Sequence, residues 1–282
     1  DVHTITTPYD VEELRKNRRE VIIDYLAAGL DPERSIIFQQ SEVPEHMEFA
    51  FYLSSVVTIA KMQHLPTFKD KVKQYPQHAT MALLNYPILM TADILAYKAG
   101  FVPVGIDQEP HLEVAREIAR RFNQDYNTDF PEPQRFKTEG EYIPSLTGEG
   151  KMSKSVEGSY INLTDDLETI RKKIRAVPTA DTSGGEKSEG LKTLFTFLKL
   201  FSPESSGEFE KKYESGNLQF VELKDHITEA IYKDLEPIQK KRQELEQDSD
   251  FVNKVIKEGN EKARDIARGT VREVREKMGL SS

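Results

Sequence analysis

Residues Gly150-Lys151-Met152-Ser153-Lys154-Ser155 read GKMSKS, near the middle of a 282-residue chain. Two lysines stand three apart, among hydroxyl side chains, directly after a loop-forming glycine. The stretch is not a P-loop, because GxxxxGK[ST] needs an earlier glycine and a Ser or Thr directly after the lysine. A lysine is a compact, mobile charge suited to following phosphates that move during a reaction. The bland alternative is a solvated lysine turn. A prescribed five-residue word arises by chance in a chain this long with odds on the order of one in ten thousand, so the word carries information.

The sequence changes character at this stretch. Before it, Asp1–Thr7 reads as the end of a strand, Asp10–Gly29 as a helix stopped by Gly29, and Ser35–Gln40 (SIIFQQ) as a short buried strand. Pro44 opens a helix to about His64, and Lys69–Gln74 is charged and loop-like. Gln77–Ala99 is a long helix bent near Pro87, Phe101–Gly105 a second short strand, and Asp107–Asn123 a helix. After it, Tyr160–Leu163 is extended, and Asp165-x-x-Glu168 predicts a capping box for a helix to about Val177. From Gly190 to Met278 the pattern is helical throughout, with breaks expected at Pro203, Gly216 and Gly259. The expectation is therefore an α/β fold: a Rossmann-like, doubly wound parallel sheet over 1–162, ending in the lysine loop, and an all-helical domain over 163–282. The last helix is a candidate to pack back on the first domain.

Charge supports the division. From Leu163 onward 22 Lys and Arg face 24 Asp and Glu, whereas the preceding part carries 17 against 24. The net charge of −9 excludes a generic basic coat for nucleic acid, so any such contact must use local patches. Arg171-Lys172-Lys173-x-Arg175 is one such patch, read with even weight as RNA contact or as a solvated helix face. There is no cysteine, which excludes disulfides and thiolate-held metals and fits a cytoplasmic setting. No apolar run approaches a membrane span, and the six histidines lack HExxH spacing, so no protein metal site is expected.

A second constellation lies on the long helix. Tyr86, Met90, Asp93 and Tyr97 recur at helical spacing and share one face. They can be a core stripe with a satisfied carboxylate. They can equally be a slot for a flat ring bearing a single N–H donor, with Asp93 accepting that bond and Met90 packing adaptably on the ring.

KMSKS at Lys151–Ser155 resembles the second signature of class I aminoacyl-tRNA synthetases. DVHTIT at Asp1–Thr6, QSEVPEH at Gln40–His46, YPILMTADIL at Tyr86–Leu95 and VPVGIDQEPHLE at Val102–Glu113 together resemble the tryptophanyl-tRNA synthetases. The resemblance implies ATP-dependent activation of L-tryptophan and its transfer to tRNA(Trp), with Mg2+ bound through the ATP phosphates and a homodimer bridged by tRNA. It implies that Lys151, Met152, Ser153, Lys154 and Ser155 act on the ATP phosphates. Gly105 and Asp107 would face the ribose, though Asp107 can also be a helix N-cap. Lys71 would touch phosphate, or is a surface lysine. For tryptophan the resemblance adds His3, Gln40, Gln108, Val102 and Val104 to Asp93, Met90 and Tyr86; His111 is read as structural.

Tyrosyl enzymes, the nearest relatives, typically carry Gln where this chain has Met90. The family's first signature, resembling His-Ile-Gly-His, does not occur, and Asp1-Val2-His3 aligns just after its place. The expectation is a natural enzyme whose first part lies upstream of Asp1. The rival is a non-catalytic fragment that binds tRNA or nucleotide.

Overall fold

The structure is a computed structural model that describes residues 1–137, 142–154, 156–179 and 186–281. It divides into two compact units, Asp1–Thr138 with Leu245–Ser282, and Glu139–Glu244. The boundary expected after 162 falls inside the second unit.

The first unit is built on helices α1 (Val11–Ala27), α2 (Glu45–Ser54), α3 (Ile59–His64), α4 (Pro66–Gln74), α5 (Met81–Leu95) and α6 (Glu109–Tyr126). Their starts are written locally. Asp10 accepts from the Glu13 amide at 2.8 Å, and Thr80 accepts from the Leu83 amide at 3.2 Å. The chain leaves α6 through Asn127, whose φ of 52° is a left-handed turn that Asn tolerates. Helices α2, α5 and α6 pack on one another around Phe49, Leu53, Leu95, Leu112 and Phe122. Proline 87 lies inside α5, and the Thr91 hydroxyl donates to its carbonyl at 2.8 Å.

Strand β1 (Phe101–Val102) pairs in parallel with β2 (Gln134–Arg135), Phe101 opposite Gln134. This two-stranded sheet is the whole sheet among the described residues, so the expected doubly wound sheet is corrected to a small parallel pair within a mostly helical unit. The stretch expected as a strand at Ser35–Gln40 is extended but unpaired, and it turns into a short 3-10 turn at Gln40–Glu42. A strand is defined by its neighbour, and none of the described residues pairs with this one. Its Gln39 amide is satisfied by the Asn260 side chain at 2.9 Å. The opening Val2–Thr6 is likewise a 3-10 turn, Lys69–Gln74 is helical within α4, and the helix expected over 44–64 is interrupted between α2 and α3.

Asn260 belongs to α11 (Ser249–Lys277), which places Ala263, Ala267, Val271 and Val274 in the same core as α2 and α5. Gly259 was expected to break this helix, yet α11 runs through it. An added Cβ at Gly259 would lie 1.9 Å from the Ile37 carbonyl oxygen, so glycine serves close approach there.

The second unit holds α7 (Leu167–Ala176), α8 (Glu189–Phe201), α9 (Pro203–Glu214) and most of α10 (Phe220–Gln247), around Ile170, Ile174, Leu191, Leu194 and Leu223. The cap of α7 is Asp166, which accepts from Thr169 at 2.8 Å, not the expected Asp165. Asp165 instead accepts from the Asn162 amide at 2.9 Å and pairs with Lys173 at 2.5 Å. Breaks at Pro203 and Gly216 occur as expected.

Two glycines of α11 should respond oppositely to alanine. Gly269 has open space around it, so Gly269→Ala should stabilise by up to about 1 kcal/mol through helix propensity. At Gly259 the clash outweighs that gain, and Gly259→Ala should destabilise by about 1–3 kcal/mol. Denaturant midpoints of the two variants check the pair.

Candidate functional site

In the first unit, three separate segments bring donors to the Asp93 carboxylate on α5. The Gln40 amide Nε2 donates to both oxygens, at 2.9 Å to Oδ1 and 2.8 Å to Oδ2. The His3 Nε2 lies 3.0 Å from Oδ2, and the His46 Nδ1 lies 3.5 Å from Oδ1. The Gln40 carbonyl oxygen of the side chain accepts from the Val2 amide at 3.1 Å, which fixes which end of the amide faces Asp93. The cluster lines a cavity of about 450 Å³, within the size range of small-molecule sites, together with Leu14, Ile22 and Tyr25; Tyr86, Met90, Val102, Val104 and Gln108 do not line it.

His46, on the first turn of α2, is fully buried. Its Nε2 is 2.8 Å from the Tyr97 hydroxyl. Burial lowers the His46 pKa, outweighing the opposing pull of Asp93 and Glu45, and burial with those carboxylates pushes the Tyr97 phenol up. Tyr97 does not continue the helical face, because α5 ends at Leu95, and it reaches the cluster from the following turn.

Tyr86 faces a different group. Its hydroxyl is 2.6 Å from the His111 Nε2, which also lies 3.0 Å from the Thr67 hydroxyl. Burial lowers His111 and raises Tyr86. His111 is thus buried and bonded at Nε2, while its Nδ1 has no hydrogen-bond partner among the described residues. Met90, Val102 and Val104 are half-buried against the first core. Asp107 is exposed and accepts from the Gln108 amide at 2.9 Å. It does not cap α6, which begins after Gln108 without a side-chain cap. Gly105 precedes this turn. Lys71 is exposed on α4, 3.2 Å from Gln74 and over the Tyr75 ring.

In the second unit the lysine loop is a pinned hairpin. Pro144 and Lys151 form an antiparallel bridge, and the Met152 amide donates to the Ile143 carbonyl at 2.9 Å. Gly148 and Gly150, at φ 83° and 73°, make the turn. Beyond it, the fully buried Ser159 accepts from the Ser153 amide at 3.1 Å and donates to the Ser153 carbonyl at 2.6 Å. Met152 packs on the second core, while the Lys151 and Lys154 side chains are exposed. Ser155 lies outside the described residues. The arrangement ties down the backbone and the Met152 side chain beneath two exposed cationic side chains.

Sequence reasoning missed His46, Tyr97 as its partner, and Ser159. The first is hidden because α2 and α5 meet only in the fold. Ser159 carries a faint signal, the Gly158-Ser159 turn just after the loop.

The whole chain is similar to known proteins. The family "tRNA synthetases class I (W and Y)" matches residues 1–236. The tryptophan–tRNA ligase of Treponema pallidum is 38% identical over 294 residues, covering 100% of this chain and 86% of that protein. The crystal structure of tryptophanyl-tRNA synthetase from Mycoplasma pneumoniae superposes with a TM-score of 0.87 at 29% identity, covering 100% of this chain and 87% of the other. That from Campylobacter jejuni, complexed with ADP and tryptophan, gives 0.82 at 30% identity, covering 98% and 87%.

The two buried histidines give a pH test. In the unfolded chain they take protons near pH 6.5, before their folded counterparts do, so their contribution is complete above about pH 6.5 and declines as pH falls toward the lowered folded values. The melting temperature should drop as pH falls below about 6.5, and His111→Gln should flatten part of that drop. Thermal melts across the range check this.

Proposed function

The chain belongs to the class I tRNA synthetases that serve tryptophan and tyrosine, and we infer from that membership that it is a tryptophan–tRNA ligase. It activates L-tryptophan with ATP, giving tryptophanyl-adenylate and pyrophosphate, and passes the amino acid to the terminal ribose of tRNA(Trp). Its fold is the α/β, Rossmann-like fold of that class. The division of labour between an α/β catalytic unit and a helical, anticodon-reading unit is part of the proposal.

The observation that carries the choice of tryptophan is Asp93. An ionised carboxylate only accepts hydrogen bonds, and indole only donates one. Gln40 and His3 frame that carboxylate at 2.8–3.0 Å, so it sits at a fixed, polar end of an otherwise apolar α5 face bearing Tyr86 and Met90. A side chain without the N–H leaves an acceptor unpaired there, which is a strong source of discrimination. Val102 and Val104 are proposed to border the ring, and Gln108 to hold the α-amino group. Gly105 and Asp107 take the adenosine ribose, and Lys71 is assigned to phosphate.

Activation is attack by the tryptophan carboxylate oxygen on the α-phosphorus, with the bond to the bridging oxygen of pyrophosphate breaking. The nucleophile is already ionised near pH 7, so no general base is required. The work left to the protein is positioning and stabilisation of charge on the departing pyrophosphate. Lys151 and Lys154 perform it from the hairpin, with Met152 anchoring the loop and Ser153 and Ser155 completing the phosphate contacts. Magnesium arrives on the nucleotide's phosphates, which supply the oxygen ligands it prefers.

The protein is proposed to work as a homodimer. Ile5, Met47 and Phe51 line one apolar groove of the first unit, and Phe51 is 77% exposed. Burying that ring against a second copy removes a large apolar surface from water. No helix among the described residues is long and apolar enough to cross a membrane. A cytoplasmic site of action, where tRNA is charged, completes the proposal.

ATP–pyrophosphate exchange run in parallel with tryptophan and tyrosine tests the activity, and tryptophan alone should support it. Asp93→Ala should weaken tryptophan binding by about 1–3 kcal/mol. Unchanged affinity in a folded variant would remove Asp93 from the site. Lys154→Ala should slow adenylate formation more than it weakens tryptophan binding, as pre-steady-state rates and calorimetry will separate. Phe51→Glu should convert a dimer into a 32.3 kDa monomer in sedimentation experiments.

A further inference from the structure

We propose that His46, oriented by Tyr97, is the positioning residue that fixes the Asp93 carboxylate for reading an indole N–H, an inference that rests on the tryptophan reading above.

The terminal torsion of an aspartate is broad, so its rotamer does not fix the plane of the carboxylate. The plane is set by the donors around it. On Oδ2 these are Gln40 at 2.8 Å and His3 at 3.0 Å. On Oδ1 they are Gln40 at 2.9 Å and, on the interior side, the His46 Nδ1 at 3.5 Å. The His3 side chain is 35% exposed, whereas that of His46 is 1% exposed. A ligand N–H reaching the cluster can compete with the part-exposed His3, whereas the His46 ring has almost no surface to offer it.

The tautomer of His46 follows from its neighbours. Its Nδ1 lies 3.5 Å from Oδ1, too long for a fully formed bond, and the ring also interacts with the Gln40 backbone carbonyl. With the proton on Nε2, a ring lone pair would face a carboxylate oxygen across that gap, acceptor against acceptor. With the proton on Nδ1, that nitrogen offers a donor near both Oδ1 and the Gln40 backbone carbonyl, and Nε2 accepts from the Tyr97 hydroxyl at 2.8 Å. The raised Tyr97 phenol keeps the proton that this bond needs. Rings of Phe38 and Tyr97, centred 5.8 and 5.6 Å from the imidazole, hold its orientation. The result is a relay, Tyr97 O–H to His46 and His46 N–H toward Asp93. It supports Oδ1 from behind and leaves Oδ2 to the ligand. A buried donor shared between the selecting carboxylate and the backbone that carries Gln40 is placed for selection as well as packing.

The test separates indole N–H recognition from general damage. Calorimetry on the purified protein compares L-tryptophan with 3-benzothienyl-L-alanine, in which sulfur replaces the N–H. The wild type should favour tryptophan by about tenfold or more, the worth of a bond to a charged acceptor. In His46→Phe that ratio should fall toward one, through weaker tryptophan binding with little change for the analogue. His46→Asn, which retains a donor near the Nδ1 position, should keep most of the ratio, and His46→Gln should not. Tyr97→Phe should lower it in part. A wild-type ratio in folded His46→Phe overturns the inference. If that variant does not fold, equal ratios in His46→Asn and His46→Gln overturn it instead. A wild type that does not distinguish the two ligands removes the Asp93–indole reading itself, and the role of His46 with it.

Discussion

A carboxylate set into an apolar helix face must be surrounded by donors, and at Asp93 that requirement ties the first unit together. The donors come from the opening 3-10 turn, from the turn at Gln40 and from the start of α2. Each is useless to the cluster unless its own segment is correctly seated. Gln40 is oriented by the Val2 amide, and α2 is held to α5 by the core around Phe49 and Leu53. The Gln39 amide is satisfied by Asn260 on α11, whose Gly259 allows the backbone of Ile37 to come close. A sequence separation of more than two hundred residues is thus closed by packing beside the Asp93 cluster. The polar cluster contributes little net stability beyond what its satisfied bonds return, but leaving Asp93 unpaired would cost more than any one of them supplies.

The lysine loop follows the opposite rule. Its cations are exposed, and order is imposed on the backbone beneath them. Ser159 satisfies both the amide and the carbonyl of Ser153, and Met152 is sunk into the second core. Exposed lysines make weak fixed contacts, because each must give up rotamer freedom to hold one. In the proposed reaction that weakness suits charge that must develop elsewhere, on a leaving pyrophosphate. A ground-state clamp of the same lysines would bind ATP without accelerating its reaction.

The sequence was most legible where chemistry and helical period coincide. Tyr86, Met90 and Asp93 lie on one helix, so their spacing exposes their common face, and KMSKS is contiguous. The resemblance then supplied the reaction. It was least legible where a structural role depends on a distant partner. Ser35–Gln40 has the composition of a strand but needs a neighbour to be one. Gly259 looks like a helix stop by propensity, yet its lack of a side chain answers the Ile37 carbonyl in space. Asp165 and Asp166 are adjacent candidates for one cap, and pairing with Lys173 decides which of them is free to serve. His46 closes the QSEVPEH segment, but nothing local gives it a role, because its meaning arises from Tyr97 and Asp93, about fifty residues further along.

Selection among amino acids is a difference between affinities, and a hydrophobic slot alone separates aromatic side chains poorly. The discriminating element must be one that the wrong ring leaves unpaired, and it must not relax to suit that ring. A carboxylate with a free torsion could swing away or recruit water, and much of the penalty would vanish. Holding both oxygens from the protein side turns a polar contact into a filter. On the proposed reading the burial of His46 serves that need: a donor reached by solvent would exchange partners with the ligand, whereas a buried one helps hold the carboxylate in place.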